Sequence, residues 1–363
     1  MISGILKKDK KEELKRIQRF FDPKIKIIKR SSIEGLSSAN KAVASENNGV
    51  YKLNLYFIDG STRELVLKTK SQRTLINGIM LLSKKNLKLR LRLILNHKIF
   101  NYNNSHRREI DIYRGIDKVF SKNLVGFIGY YTNLPNTYNL LLNYHSPKKQ
   151  NLSMDAAKKI IDGILSFHIF YYGDIASAKR MGLNISSPRS YKRAKKCISM
   201  LYNSRHEENV KLYGERKDKD INNFIDNIDK IMDEFSYHRT FTHNDFSTRN
   251  IFYDGGHVLF YDFELSCYQN PEHDLIEFLM YDSGNFTDDE VKELIDYYKY
   301  GLRRGGIQVT DKDYRKLLFY NTYEFVVNRL SMTKTINDSV ALDFAKLSIP
   351  NSIRILNILE TIS

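Results

Sequence analysis

Residues 242–253 read THNDFSTRNIFY, and residues 259–264 read LFYDFE. The first stretch strings His243, Asp245, Arg249 and Asn250 between apolar residues, and the second closes a short β-type run on another acid, Asp262. Three oxygen-bearing side chains in this order, Asp245, Asn250 and Asp262, suggest a metal ion and phosphate.

Composition permits that reading. A chain of 363 residues with 42% hydrophobic content is long enough for two lobes around one or two sizeable cores. Its only cysteines, Cys197 and Cys267, give no disulfide framework and no zinc spacing, and they fit a reducing cytoplasm as small buried hydrophobes. The N-terminal stretch MISGILKKDKKEELKRIQRFF has no apolar core of signal-peptide length, and no run approaches the roughly 18 apolar residues of a membrane span. The expectation is a cytoplasmic protein, neither exported nor membrane-spanning. A net charge of +16 welcomes a polyanion, an anionic lipid surface or a nucleotide, without choosing among them.

Along the chain, residues 9–21 have the pattern of a charged amphipathic helix, and VYKLNLYFIDG followed by STRELVLKTK reads as a hairpin turning at Gly60. SHRREIDIYRGI at 105–116 has helical periodicity, and NLVGFIGYYTN and YNLLLNY read as two further strands. From Ser153 the chain turns largely helical, with a capping box expected at Thr287 and Glu290 and a long amphipathic helix at TDKDYRKLLFYNTYEFVVNRL. The division expected from these patterns is a β-rich half over 1–143 and a largely helical half over 144–363.

Phosphoryl transfer from ATP needs a carboxylate for the acceptor hydroxyl and oxygen ligands that hold Mg²⁺ across the phosphates. A loop Asp followed by four residues and an Asn, then a strand ending in Asp-Phe, has the spacing of the protein-kinase catalytic and metal loops. The N-terminal half then needs a strand Lys and a helix Glu, and Lys68 and Glu109 occur in that order. EGLSSANKAV offers a phosphate loop in which Gly35 permits close backbone approach and Ser37, Ser38 and Asn40 supply donors, although a Gly-x-Gly-x-x-Gly pattern is absent.

HNDFSTRNIFY with LFYDFELSCYQNPEHDLIEFL resembles the aminoglycoside phosphotransferase and choline/ethanolamine kinase superfamily, most specifically over 242–279. The resemblance implies an α+β, bilobal, protein-kinase-like fold, with a nucleotide-binding N-lobe over 1–143 and a helical C-lobe over 144–363 that carries the catalytic and metal loops and the acceptor site. By it Asp245 is the catalytic base, Asn250 and Asp262 bind Mg²⁺, and Lys68 and Glu109 orient the nucleotide. Leu140–Tyr144, with Asn143 and Tyr144 at its end, is then the hinge facing adenine. His243 is expected to anchor the loop on a backbone carbonyl, Asp274 to hold the loop's amides, and Phe167, His168 and Phe170 to pack in the core.

Departures from that pattern narrow the acceptor. The chain has no tryptophan, the strongest cation–π partner, which argues against choline. No Ala-Pro-Glu triplet follows Asp262, so the activation segment of protein kinases is missing. The acids between Asp262 and Asp296 suggest a site that draws an amine-bearing acceptor, apart from Asp288, Asp289 and Glu290, which suit a helix first turn. SKKNLKLRLRLILNHK at 83–98, read as a strand, would set Lys88, Arg90 and Arg92 opposite Leu89, Leu91 and Leu93, a cationic face for an acidic peptide or an anionic membrane surface. The function expected is transfer from ATP or GTP to a hydroxyl of a small, amine-containing molecule. A Ser/Thr peptide kinase and a nucleotide-binding pseudokinase are the alternatives. Neither basic stretch has the aromatic interleaving of a single-strand binder, so no nucleic acid is expected.

Overall fold

The computed structural model describes residues 12–22, 24–32, 49–71, 87–97, 104–132, 137–145, 152–185, 187–204, 206–331 and 339–362, with side chains in the last stretch from 346 onward. The chain divides into two compact units, Met1–Thr74 with Leu124–Pro147, and Leu75–Asn123 with Lys148–Ser363.

The first unit is built on alternation. Helix α1 (12–18) precedes five antiparallel strands: β1 (Ile25–Ser32), β2 (Gly49–Phe57), β3 (Thr62–Ser71), β4 (Phe127–Thr132) and β5 (Thr137–Asn143), in spatial order β1-β2-β3-β5-β4. Leu53, Leu55 and Phe57 alternate along GVYKLNLYF, as do Leu65 and Leu67 in TRELVLKTKS, so the five share one face. That face buries them with Ile17 of α1, Tyr131 and Leu141. Gly60, at φ 86°, makes the β2–β3 turn, and the Asp59 carboxylate accepts the Ser61 amide at 2.9 Å. Strand β1 was not expected from its lysine-interrupted sequence; it pairs antiparallel with β2, Ile28 opposite Leu55, with a register shift between Ile25 and Ile27.

The second unit is mostly helical. Helices α2 (Leu87–Leu95) and α3 (Ser105–Gly115) come first, followed by α4 (Met154–Phe170), α5 (Ile175–Arg180), α6 (Pro188–Asn203) and α7 (His206–Glu234), which kinks at Gly214. Three short strands, β6 (Asn184–Ile185), β7 (Thr240–Thr242) and β10 (Cys267–Gln269), form one sheet with β10 central, and β8 (Ile251–Tyr253) pairs with β9 (Val258–Phe260) as a hairpin. Helices α8 (Glu272–Asp282), α9 (Asp288–Arg304), α10 (Asp311–Phe325) and α11 (Ser339–Thr361) complete it, with a π-helical turn at Val326–Leu330. The capping box at the start of α9 is present, Thr287 with Glu290. Every residue of α8 is buried, which makes it the central helix.

The strand expected over 83–98 is corrected: Leu87–Leu95 is helix α2, while 83–86 and 98 lie outside the described residues. Alternating Leu with Lys or Arg satisfies a strand, but Leu89 and Leu93, four apart, also share a helix face, and they are the residues buried. Lys88, Arg90 and Arg92 therefore do not line one cationic strand face. Of the cluster read as core packing, Phe167 and His168 are fully buried, His168 with a hydrogen bond on each ring nitrogen, and the correction is Phe170, which is half-exposed. Cys197 and Cys267 are free and buried, and burial pushes the Cys197 thiol up to about 12.

Helices α4 and α9 pack closely because α9 carries glycine at the crossing. A Cβ at Gly301 would lie 2.3 Å from Leu165 Cδ1, and one at Gly305 the same distance from Ile169 Cδ1. Gly301→Val is expected to cost about 1–3 kcal/mol by overpacking. Gly284→Ala, with nothing within 4 Å of its Cβ, is expected to leave stability nearly unchanged. Thermal unfolding of the two variants checks the contrast, and equal melting temperatures would contradict it.

Candidate active site

Strand β7 delivers the chain into a loop, 243–248, whose backbone amides have no ladder or helix to join. Buried amides must find acceptors. Helix α8 supplies them. Asp274 accepts the His243 amide at 2.8 Å and the Asn244 amide at 2.9 Å. Glu277 accepts the Phe246 amide at 2.9 Å. Asp282 accepts the Thr248 amide at 3.1 Å and its hydroxyl at 2.7 Å. Residues three, four, seven or eight apart stand on one side of a helix, so a single face of α8 is a row of acceptors for the loop.

The acids are themselves held. Asp274 also meets His168 Nε2 at 3.0 Å, and the other ring nitrogen of His168 meets the Tyr298 hydroxyl at 2.7 Å. Burial alone would raise the Glu277 carboxyl; the Arg329 guanidinium at 3.2 Å, His273 and the Phe246 amide outweigh it and hold it below the ordinary value. The stability that Glu277 contributes is therefore present at neutral pH and lost as pH falls through the acid range towards its folded-state pKa. Arg329, from the π-helical turn, also donates to the Asn244 carbonyl, so both Glu277 and the loop backbone meet the same guanidinium. Asn244 adopts φ 57°, and its side-chain amide donates to the Leu265 carbonyl at 2.8 Å.

The second loop is fixed through one peptide unit. The carbonyl of Tyr261 accepts from His243 Nε2 at 2.9 Å, and the amide of Asp262 donates to Glu109 Oε1 at 3.1 Å. His243 thus anchors on a carbonyl, with its proton on Nε2. Held on both sides, Asp262 takes a left-handed conformation, φ 65°. Phe263 fills the core behind it, with ring centroids 4.9 Å from His243 and 5.7 Å from Tyr113 of α3. Arg108, one residue before Glu109, donates to the Glu264 carbonyl at 2.8 Å. The amide of Tyr261 donates to the Asn250 carbonyl at 3.2 Å, tying the two loops together.

Asp245 stands between these anchors with its side chain 21% exposed, open to a reactant. Asn250 donates through Nδ2 to Asp245 Oδ2 at 2.9 Å and to the Asp245 carbonyl at 2.8 Å. Two acceptors at that nitrogen fix the amide's orientation and leave its Oδ1 for a different partner. Asn250 Oδ1 and the Asp262 carboxylate are hard oxygen donors of the type Mg²⁺ takes. Among the described residues no group of three or more His, Cys, Asp or Glu could hold a metal ion. The donors therefore fit a cation that completes its shell with water and phosphate oxygens rather than one caged by protein.

The expected site residues fall in three groups. Asp245, Asn250, Asp262 and Glu109 lie together in the second unit. Lys68, Asn143 and Tyr144 belong to the first: Lys68 is buried in mid β3 between Val50 and Leu140, Asn143 accepts from Arg63 at 2.9 Å, and the Tyr144 ring lies under Lys52 at 4.2 Å. Gly35, Ser37, Ser38 and Asn40 lie outside the described residues. The acids that suggested a cationic acceptor are corrected, since Glu272, Asp274, Glu277 and Asp282 are buried and bonded to His238, His168, loop amides and Arg329. Their spacing was the available signal for a buried helix face turned towards the loop.

Residues 199–308, which include Asp245, Asn250 and Asp262, match the profile of the phosphotransferase enzyme family. No curated protein sequence matches the chain. Among solved structures, the spectinomycin phosphotransferase APH(9)-Ia in complex with ADP and spectinomycin is similar with a TM-score of 0.55 at 12% identity, over 97% of this chain and 98% of that one. A thermostable mutant of the aminoglycoside phosphotransferase APH(4)-Ia, in ternary complex with AMP-PNP and hygromycin B, gives 0.50 at 8% identity over 95% and 98%. The fold is the α+β, kinase-like one, with an antiparallel sheet N-lobe and a helical C-terminal region. The family match over 199–308 supports a phosphotransferase acting on a hydroxyl group.

Asp274→Asn loses one carboxylate oxygen of the pair that serves two amides and His168. It is expected to lower stability by about 3–5 kcal/mol, as when one partner of a buried pair is removed. Urea unfolding measures the cost, and amide hydrogen exchange should quicken at His243 and Asn244 before the rest of β7. Unchanged exchange there would show that α8 does not hold the loop.

Proposed function

We propose that the chain transfers the γ-phosphoryl group of ATP to a hydroxyl of a small molecule bearing an amine, with Asp245 as general base. The observation that carries the reading is the Asp245–Asn250 contact of 2.9 Å beside an Asp262 peptide clamped by His243 and Glu109. Asp245 Oδ2 is occupied by Asn250, so Oδ1 receives the acceptor's proton as the new O–P bond forms and the bond to the leaving ADP oxygen breaks. Asn250 and Asp262 would hold Mg²⁺, which, when bound, neutralises charge on the phosphate oxygens. Lys68, Gly35, Ser37 and Ser38 are assigned to the phosphates, Asn143 and Tyr144 to the base, and Glu109 to orienting the nucleotide. In this assignment the unit bearing the sheet serves the nucleotide and the helical unit serves catalysis and the acceptor.

The amine is the finer part of the reading. Likeness of fold to aminoglycoside phosphotransferases supports it, and the buried acids of α8 do not. The peptide-kinase alternative leaned on a cationic strand face that is a helix instead. A nucleotide-binding pseudokinase is the less favoured reading because Asp245, Asn250, Asp262, Lys68 and Glu109 are all present. GTP in place of ATP is a question for the same assay.

A screen of amino alcohols and aminosugars with labelled ATP and Mg²⁺, and of Ser/Thr peptides as contrast, identifies the acceptor. With it, Asp245→Asn should lower transfer about 100- to 10,000-fold while nucleotide binding is retained. Loss of nucleotide binding in step with the rate would make Asp245 a structural residue. Asp262→Ala should abolish Mg²⁺-dependent turnover in a folded protein, and undiminished turnover would remove it from the metal.

A further inference from the structure

The oxygen of Asp245 that Asn250 leaves open is not bare. Tyr281, from the acid-bearing face of α8, brings its hydroxyl to 3.4 Å from Asp245 Oδ1, and Arg249 brings Nη2 to 3.8 Å from the same oxygen. The two partners also hold each other, with the guanidinium carbon 4.6 Å from the Tyr281 ring centroid. Tyr281 is buried and edge-on to Phe325 at 5.7 Å, so its ring is a fixed platform. Arg249 is further located by its Nε contact to Ser247 Oγ at 3.4 Å and by its carbonyl, which accepts from the Tyr261 hydroxyl. Its side chain nonetheless remains 47% exposed.

We infer that Arg249, seated on the Tyr281 ring, is a positioning residue for phosphoryl transfer, offsetting the charge of Asp245 and directing its Oδ1 at the incoming hydroxyl. The inference rests on the proposed function, because it assumes that Asp245 is the base. The physical need is plain. A carboxylate that must stand near a triphosphate is repelled by it, and a cation about 4 Å away offsets that repulsion most where water is scarce. At 3.8 Å the guanidinium acts through charge rather than by a tight hydrogen bond, and a phenol at 3.4 Å is a weak donor. Oδ1 is thereby oriented yet still able to accept the hydroxyl proton. Arg249 keeps its own protons throughout; only the acceptor's proton moves, to Asp245.

The test uses the full chain and the hydrolysis of MgATP to water as the probe reaction, followed by ADP release, with folding checked by thermal melting. Arg249→Gln should lower kcat about tenfold to 100-fold with KM for MgATP nearly unchanged, the split expected when a base is misdirected and nucleotide binding is intact. Arg249→Lys, which keeps the charge, should recover a large part of the rate. Tyr281→Phe should lower kcat in the wild-type background and have little further effect beside Arg249→Gln, since the two act on one oxygen. Unchanged kcat in Arg249→Gln, an effect on KM alone, no rescue by lysine, or strictly additive losses would overturn the inference. Asp245→Asn run alongside separates the failures. If Asp245→Asn abolishes hydrolysis and Arg249→Gln does not alter it, only this inference falls. If the wild type hydrolyses no MgATP, or Asp245→Asn is fully active, the proposed function falls first.

Discussion

Backbone amides that join no helix or ladder must still be bonded when buried, and here carboxylates of α8 meet that demand for the loop that carries Asp245. Leaving such a group unpaired costs about 1–3 kcal/mol, so the amides of His243, Asn244, Phe246 and Thr248 tie the loop to Asp274, Glu277 and Asp282. Carboxylates out of water are costly in turn. Each is met by several donors: His168 at Asp274, Arg329 at Glu277, the Thr248 hydroxyl at Asp282. The result is a network in which neither helix nor loop can move without stranding charge on the other. Reactive geometry at Asp245 is a consequence of this arrangement, as is the placing of Tyr281 beside it.

The second loop obeys the same logic with fewer parts. One peptide unit, between Tyr261 and Asp262, is gripped at its carbonyl by His243 and at its amide by Glu109. His243 belongs to the first loop, so what fixes Asp245 also fixes Asp262. Glu109 arrives from α3, which adds Arg108 on the Glu264 carbonyl and the edge of Tyr113 on Phe263.

Much of this was legible in the residues because the loops are local in sequence. The spacing of Asp245, Asn250 and Asp262 is read from residue types and order, and the anchoring by His243 and the amide-holding by Asp274 were expected once the family resemblance was added. Glu277 and Asp282 were read as part of an acidic site for an amine-bearing acceptor because a sequence does not say which face of a helix is buried, and α8 is buried on every face. Residues 87–95 misled for a different reason: Leu at every second position also places Leu89 and Leu93 one helical turn apart, and packing chose the helix. Strand β1 escaped notice because lysines interrupt IKIIKRSS, an arrangement that an edge strand tolerates. Arg249 and Tyr281 lie far apart in sequence and meet only through the fold.

The central claim is that Asn250 and Asp262 face a metal–nucleotide complex while the acids of α8 serve the backbone. Paramagnetic broadening by Mn²⁺ with ATP, read in NMR spectra of protein labelled at Asn, Asp and Glu, addresses it most directly. The account predicts that side-chain signals of Asn250 and Asp262 broaden first and most strongly, that Asp245 follows, and that Asp274 and Glu277 are affected least. Broadening centred on the α8 acids, or none at Asn250 and Asp262 with nucleotide bound, would contradict it.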